Sequence, residues 1–138
     1  MSAAQANGQP VRIAGLAADD YGRSDHRPPL ILLHGLTFDR TTWRDVVPGL
    51  HRIDPGRRVV AIDLPGHGQS PDQAAYDAAE LTGQLHQVVQ EAGLAAPVVA
   101  GHSAGGVLAT GCAARCPTRG VVDIDQPLEP ARFAALLG

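Results

Sequence analysis

The stretch Val98-Val99-Ala100-Gly101-His102-Ser103-Ala104-Gly105-Gly106 decides the fold of this chain. A short apolar run ends in the pattern Gly-x-Ser-x-Gly, and a stretch of small residues follows it. The pattern predicts a strand, a sharp turn with Ser103 at its apex, and a helix. Gly101 and Gly105 leave room for a strained backbone at the serine, because neither carries a side chain. A serine hydroxyl held clear of its backbone is suited to nucleophilic attack when a base lies beside it.

The pentapeptide alone is also compatible with an ordinary loop of small residues, so its surroundings matter. Apolar runs predict strands buried on both faces at residues 30–33, 59–64 and 97–100, and a fourth strand at 120–124 that forms an open sheet edge. Helical patterns fill the intervals, at residues 43–53, 74–91 and 104–115. Strands that alternate with helices predict an α/β fold, with a mostly parallel sheet and helices on both faces.

The remaining segments are predicted with less regular structure. Residues 11–17 are predicted to form an early strand, and residues 19–29 a polar loop. Thr41 or Thr42 is predicted to cap the helix at 43–53, and Pro48 to kink it. A short helix is predicted at 132–137. We expect residues 1–10 to be a disordered N-terminus and residues 11–138 to form one domain.

Composition excludes several classes of function. With 44% hydrophobic and 18% charged residues, the 138-residue chain is expected to fold as a soluble globule. Its net charge of -3, without a basic block, argues against nucleic acid as a partner, and the complete absence of lysine excludes Schiff-base chemistry.

The compartment is also predicted from the sequence. No apolar run reaches the length of a membrane span, and no secretory signal pattern is present, so we expect no membrane association. Cys112 and Cys116 lie on one helix face and are predicted to be buried thiols in a reducing, cytoplasmic compartment rather than a metal pair. No metal or organic cofactor is implied.

Polar residues cluster where the predicted strands end. His34-Gly35, the segment 63–70, Ser103 and Asp125 each follow an apolar run. In parallel sheets the ligand site lies beyond the carboxyl ends of the strands. Four separate segments are therefore expected to converge on one edge.

Three of these segments resemble the α/β-hydrolase family, in its order and at its spacing, over residues 10–126. The segment 34–39 with Trp43 resembles the oxyanion loop, the segment 63–70 resembles the loop after the next strand, and the segment 101–106 resembles the nucleophile elbow. Together they are far more specific than any one alone.

The resemblance implies a serine hydrolase acting on a small acyl, ester-like substrate. Ser103 would be the nucleophile, and the backbone N–H groups of Leu36 and Ala104 would hold the oxyanion. Gly35 would turn the backbone toward the site. His34 and His102 would lie beside it in the binding region and are expected to make buried structural hydrogen bonds.

The chain departs from the family pattern after the serine. The family triad runs serine, acid, histidine along the chain, yet all six histidines precede Ser103. Asp125 is a candidate acid or a polar strand-end residue, and Asp123 and Glu129 are weaker candidates. The sequence therefore predicts an incomplete hydrolase core, lacking a cap, the last strands and the histidine loop.

A poor catalyst with an open sheet edge is expected to associate. The partner would be a second copy, giving a homo-oligomer, or a complementing C-terminal chain.

Two other classes stay open at this point. A hydrolase-derived module that binds a ligand without catalysis is consistent with the missing histidine. A dinucleotide-binding domain is suggested by Gly101-x-Ser103-x-x-Gly106 with the acidic Asp123 about twenty positions on. The central serine would crowd a pyrophosphate, which weighs against this second alternative.

Overall fold

The computed structural model describes residues 8–22 and 26–125, in which six strands form one mixed sheet. The strands are β1 (Gln9–Ile13), β2 (Leu16–Tyr21), β3 (Leu30–Leu33), β4 (Val59–Ile62), β5 (Val98–His102) and β6 (Gly120–Ile124). Their order across the sheet is β1-β2-β4-β3-β5-β6. The last four in this order are mutually parallel, and β1 and β2 are antiparallel to their neighbours. The mostly parallel α/β sheet predicted from the sequence is confirmed.

Helices cover both faces of the sheet. They are a 3₁₀ helix (Arg40–Trp43), α1 (Val47–Ile53), α2 (Ala78–Glu91) and α3 (Ala104–Arg115). On one face α2 and α3 pack on strand residues that include Ile31, Leu33, Val60, Ile62 and Val99. On the other face Trp43 and Val47 pack on Leu32, Ala61 and Ala100. Alternate residues of each central strand thus enter opposite cores, which is why these strands are apolar throughout.

The first strand prediction is wrong in its boundaries. Residues 11–17 are not one strand, because the chain turns at Ala14 and Gly15, both at positive φ, and returns as β2. β2 runs on to Tyr21 and so takes Asp19 and Asp20 out of the predicted polar loop. β1 begins at Gln9, and residues 1–7 lie outside the described part of the chain.

Helix starts follow capping side chains more closely than the apolar pattern suggested. The predicted helix 43–53 is a 3₁₀ helix capped by Asp39, followed by α1. Pro48 lies in the first turn of α1, where a missing N–H is tolerated, so it causes no kink in the middle of a helix. The carboxylate of Asp77 accepts a hydrogen bond from the Glu80 amide and starts α2 at Ala78, four residues after the predicted start. The predicted helix 132–137 lies outside the described residues.

Candidate active site

The backbone at Ser103 adopts a conformation that non-glycine residues rarely take. Ser103 has φ 54° and ψ −118°, directly between β5 and the first residue of α3, Ala104. Its amide N–H donates to the carbonyl of Ile124 at 2.9 Å, and its carbonyl accepts from Gly106 at 2.8 Å. Such a conformation costs about 1–3 kcal/mol and persists only where the surrounding structure enforces it. Its presence at the predicted apex is therefore an indicator of function.

Two glycines make this turn sterically feasible. A Cβ placed on Gly101 would lie 2.1 Å from the carbonyl oxygen of Gly105. A Cβ placed on Gly105 would lie 2.4 Å from the carbonyl oxygen of Leu33. The start of α3 therefore packs directly on the backbones of β5 and β3, and neither glycine position has space for any side chain.

The loop after β3 packs against the serine. A Cβ on Gly35 would lie 3.3 Å from the Cβ of Ser103 and 3.0 Å from Nδ1 of His102. The loop then forms a tight turn, in which the Phe38 amide donates to the Gly35 carbonyl at 3.2 Å and Thr37 has φ 68°. The two loops expected to form one site are thus in contact.

Two backbone N–H groups in the segments that meet at the serine have no hydrogen-bond partner among the described residues. Within the described residues, no hydrogen bond is made by the amide of Leu36, at the tip of the loop after β3. The amide of Ala104 opens α3, where the helix supplies no acceptor for it. These are the two donors that the sequence assigned to an oxyanion, and that assignment stays a prediction.

His34 ties the loop after β3 to the loop after β4. Its ring is fully buried, with Nδ1 2.8 Å from the carbonyl of Gly35 and Nε2 accepting from the amide of Leu64 at 2.9 Å. Nε2 must be unprotonated to accept that bond, so the ring is neutral with its proton on Nδ1. Burial lowers the pKa of His34, which agrees with this state. Both ring nitrogens are occupied by structural bonds, as the sequence analysis expected.

The other histidines near this edge make separate contacts. Nδ1 of His67 lies 3.0 Å from the Pro65 carbonyl, and its ring stands 5.0 Å from that of His34. His102, half-buried at the end of β5, meets the ring of Phe38 edge-on at 5.8 Å. Within the described residues, no hydrogen bond joins the side chain of Ser103 to a histidine.

The acidic candidates lie on β6, beside the elbow. Asp125 follows β6 at φ 55° and is exposed, and no ion pair or hydrogen bond involves its carboxylate within the described residues. Asp123 pairs in register with Gly101, so its side chain lies on the α3 face of the sheet. Both of its carboxylate oxygens are buried there without a partner. That orientation is unsuited to the ribose contact that a dinucleotide site requires. Glu129 lies outside the described residues.

Sequence reasoning missed a buried ionic cluster behind the loop after β3. Arg40 is almost fully buried and pairs with Asp19 and Asp63, both of which are completely buried. Its Nη2 also donates to Oε1 of Gln69 at 2.9 Å, and Arg44 contacts the second oxygen of Asp19 at 3.2 Å. The available signal was Asp63, a carboxylate directly after a buried strand, which requires a cationic partner.

The described part of the chain offers no membrane-spanning helix, since none of its helices is both long and apolar enough.

Comparison with known proteins places these features in a family. A family model described as the alpha/beta hydrolase family matches residues 30–137. The sn-1-specific diacylglycerol lipase ABHD11 of Xenopus tropicalis is 31% identical over 100 residues, covering 72% of this chain and 31% of the lipase. Epoxide hydrolase B of Mycobacterium tuberculosis is 38% identical over 105 residues, covering 72% of this chain and 29% of that enzyme.

A solved structure extends the likeness to the fold. An epoxide hydrolase of the alpha/beta hydrolases superfamily, from metagenomes of hot environments, superposes with a TM-score of 0.77 at 29% identity. The match covers 94% of this chain and 46% of that one. The matched region makes up 31% of the lipase and 29% of epoxide hydrolase B, so the chain spans about a third of the length of these curated relatives. By sequence and by fold, the chain belongs to the alpha/beta hydrolase family.

Proposed function

We propose that this protein is a serine hydrolase that cleaves small ester-like acyl substrates. The observation that carries the proposal is the strained backbone of Ser103, between β5 and α3, with the loop after β3 packed on it. In the proposed reaction, Oγ of Ser103 gives its proton to a base and attacks the substrate carbonyl. The C–O bond to the alcohol then breaks, the alcohol leaves with that proton, and an acyl–serine ester remains. The N–H groups of Leu36 and Ala104 hold the oxyanion of the tetrahedral intermediate. Water then hydrolyses the ester and frees the serine.

The chemistry of a serine favours acyl substrates over epoxides. A serine oxygen that opens an epoxide becomes part of an ether, which water does not hydrolyse, so the enzyme would stop after one turnover. A serine oxygen that attacks a carbonyl becomes part of an ester, which water does hydrolyse. We therefore propose an acyl substrate and not an epoxide, although epoxide hydrolases are among the relatives.

The proton of Ser103 needs an acceptor that the described residues do not supply. Both nitrogens of His34 are engaged in backbone contacts, and no histidine follows Ser103 in the 138 residues. We propose that the imidazole comes from a polypeptide segment outside the described residues, which packs beside β6. The exposed side chains of Val122 and Ile124 on β6 support a docking surface there, because edge strands pair readily with other chains. Losing the base of a triad leaves roughly 10³–10⁴-fold catalysis over water.

Chemical rescue tests this proposal directly. The chain is incubated with a p-nitrophenyl ester while free imidazole is added in increasing amounts, and Ser103→Ala is run in parallel. We expect release of p-nitrophenol to rise with imidazole well beyond the Ser103→Ala background, and a fluorophosphonate to label Ser103. Equal rates in the two proteins and no labelling would contradict a serine hydrolase and favour a module that only binds ligand.

We also propose a cytoplasmic location. Cys112 and Cys116 are both free and buried around the end of α3. Burial, and to a smaller extent the neighbouring Cys116, raise the pKa of Cys112 to about 12. Two unpaired thiols so close together support a reducing compartment.

A further inference from the structure

We infer that Arg40 is a positioning residue that sets the geometry of the loop after β3, residues 35–39, and thereby aims the Leu36 N–H at Ser103. The inference rests on the proposed function, in which that N–H binds the oxyanion. Arg40 itself lies behind the loop, away from any substrate, and would act through the backbone.

Arg40 joins three separate segments at one buried point. Its backbone N–H donates to Oδ1 of Asp63 at 2.7 Å, and its Nη1 donates to Oδ2 of the same carboxylate at 2.5 Å. Its Nε donates to Asp19 on β2 at 2.9 Å, and its Nη2 donates to Gln69. The end of the loop is therefore fixed to β2, to the end of β4 and to the loop that follows β4.

The surroundings of Arg40 favour its charged form. Burial opposes the charge on Arg40, but its hydrogen bond to Asp19 and the charge of Asp63 outweigh burial and raise the pKa of Arg40 above its usual range. A guanidinium offers donors in a fixed planar fork, so it can bridge several acceptors at once. A lysine would keep the charge and lose most of these bonds.

The middle of the loop, residues 36–38, has little support of its own within the described residues. Leu36 is 59% exposed and Phe38 is 49% exposed. Within the described residues, the middle of the loop makes the turn bond from Phe38 to Gly35 and the edge-on contact of Phe38 with His102. The path of the loop is consequently determined at its two ends, by His34 with Gly35 and by Arg40.

Arg58 provides a matched control, because its partner Asp20 is the residue next to Asp19 on β2. Arg58 pairs with Asp20 at 2.9 Å and donates to the carbonyl of Ala92, and both partners of the ion pair are mostly buried. This pair lies away from residues 35–39. Arg40→Lys and Arg58→Lys therefore remove similar hydrogen bonds and keep the charge, and only the first touches the anchor of the loop.

The test measures two properties of the wild type and both variants. Hydrogen–deuterium exchange followed by mass spectrometry reports on the peptide that contains residues 35–39. Fluorophosphonate labelling of Ser103, with free imidazole present, gives the maximal rate and the half-saturating probe concentration. For Arg40→Lys we expect about tenfold faster exchange in that peptide and about tenfold slower maximal labelling, with half-saturation changed less than about twofold. Arg58→Lys should stay within about twofold of the wild type on each measure.

The outcomes separate this inference from the function it rests on. Exchange at 35–39 that is unchanged in Arg40→Lys, or that rises equally in Arg58→Lys, would overturn the inference. If Ser103 of the wild type is not labelled, the proposed function fails, and the exchange result alone decides whether Arg40 anchors the loop.

Should Arg40→Lys fold poorly, Gln69→Leu provides a milder variant. It removes the acceptor of Nη2 and leaves both carboxylate pairs in place. A smaller increase in exchange at 35–39 is expected, and no increase would count against the inference.

Discussion

The two sides of Ser103 differ in whether their buried ionisable groups have hydrogen-bond partners. On the side of β3 and β4, the buried groups His34, Asp63 and Arg40 all have hydrogen-bond partners. On the side of β6, the carboxylate of Asp123 is buried without one, and apolar side chains of the strand are exposed. Within the described residues, the ionisable groups behind the loop after β3 are therefore partnered, whereas the carboxylate of Asp123 beside β6 is not.

The largest expected effect is at Gly101 on β5, the strand between the two sides. An added methyl group would overlap the backbone of Gly105, which cannot move without shifting α3 away from β5 and β3. We therefore expect Gly101→Ala to destabilise the fold by about 4 kcal/mol or more, which is the exceptional range for a single substitution. Urea unfolding followed by circular dichroism measures the change.

Gly83→Ala is the matched control for that substitution. Gly83 lies within α2, and a Cβ there would have no neighbour within 4 Å. Because alanine is the better helix former, Gly83→Ala should stabilise by up to about 1 kcal/mol. A Gly101→Ala protein as stable as the wild type would show that α3 does not rest on β5 as described.

An intermediate effect of opposite sign is expected on the β6 side. Asp123→Val should stabilise the protein by about 1–3 kcal/mol, since it replaces a buried carboxylate that has no partner by an apolar, β-branched side chain on the α3 face. Urea unfolding at low protein concentration measures this without interference from association.

Asp125→Asn serves as the comparison: asparagine tolerates the positive φ of Asp125 and the position is exposed, so we expect a change within about 0.5 kcal/mol. A loss of stability in Asp123→Val would mean that the carboxylate has a partner in solution, which would remove the contrast between the two sides.

The same contrast explains which parts of the structure were predictable from sequence. The central strands and the elbow were predicted correctly, because their signals are local: apolar runs for the strands, and glycines at fixed spacing for the turn. The helix starts at Arg40 and Ala78 depended on single capping carboxylates, which the apolar pattern does not reveal.

The buried ionic cluster could not have been predicted in the same way. Asp19 and Asp20 are adjacent and identical, yet Asp19 is fully buried against Arg40 while Asp20 is only partly buried against Arg58. Their difference arises from the register of β2 against β4, which sets the face of the sheet that each side chain takes. This register depends on the hairpin turn at Ala14-Gly15, where the sequence pattern predicts one continuous strand over residues 11–17.

The smallest expected effect concerns pH and belongs to the side of β3 and β4, which carries His34. Desolvation lowers the pKa of His34 in the folded protein below its usual value of 6.5, so the unfolded chain binds the proton more readily. Stability should be complete above about pH 6.5 and should decline as pH falls through the lower, folded value. In His34→Asn, unfolding by urea between pH 7.5 and pH 5 should depend less on pH than in the wild type, whereas the exposed His26→Asn should keep the wild-type slope. A slope unchanged in His34→Asn would mean that the His34 ring can accept a proton in the folded state, contrary to the hydrogen bond from the Leu64 amide to Nε2. The loop after β3 would then be tied to the loop after β4 less firmly than this geometry indicates.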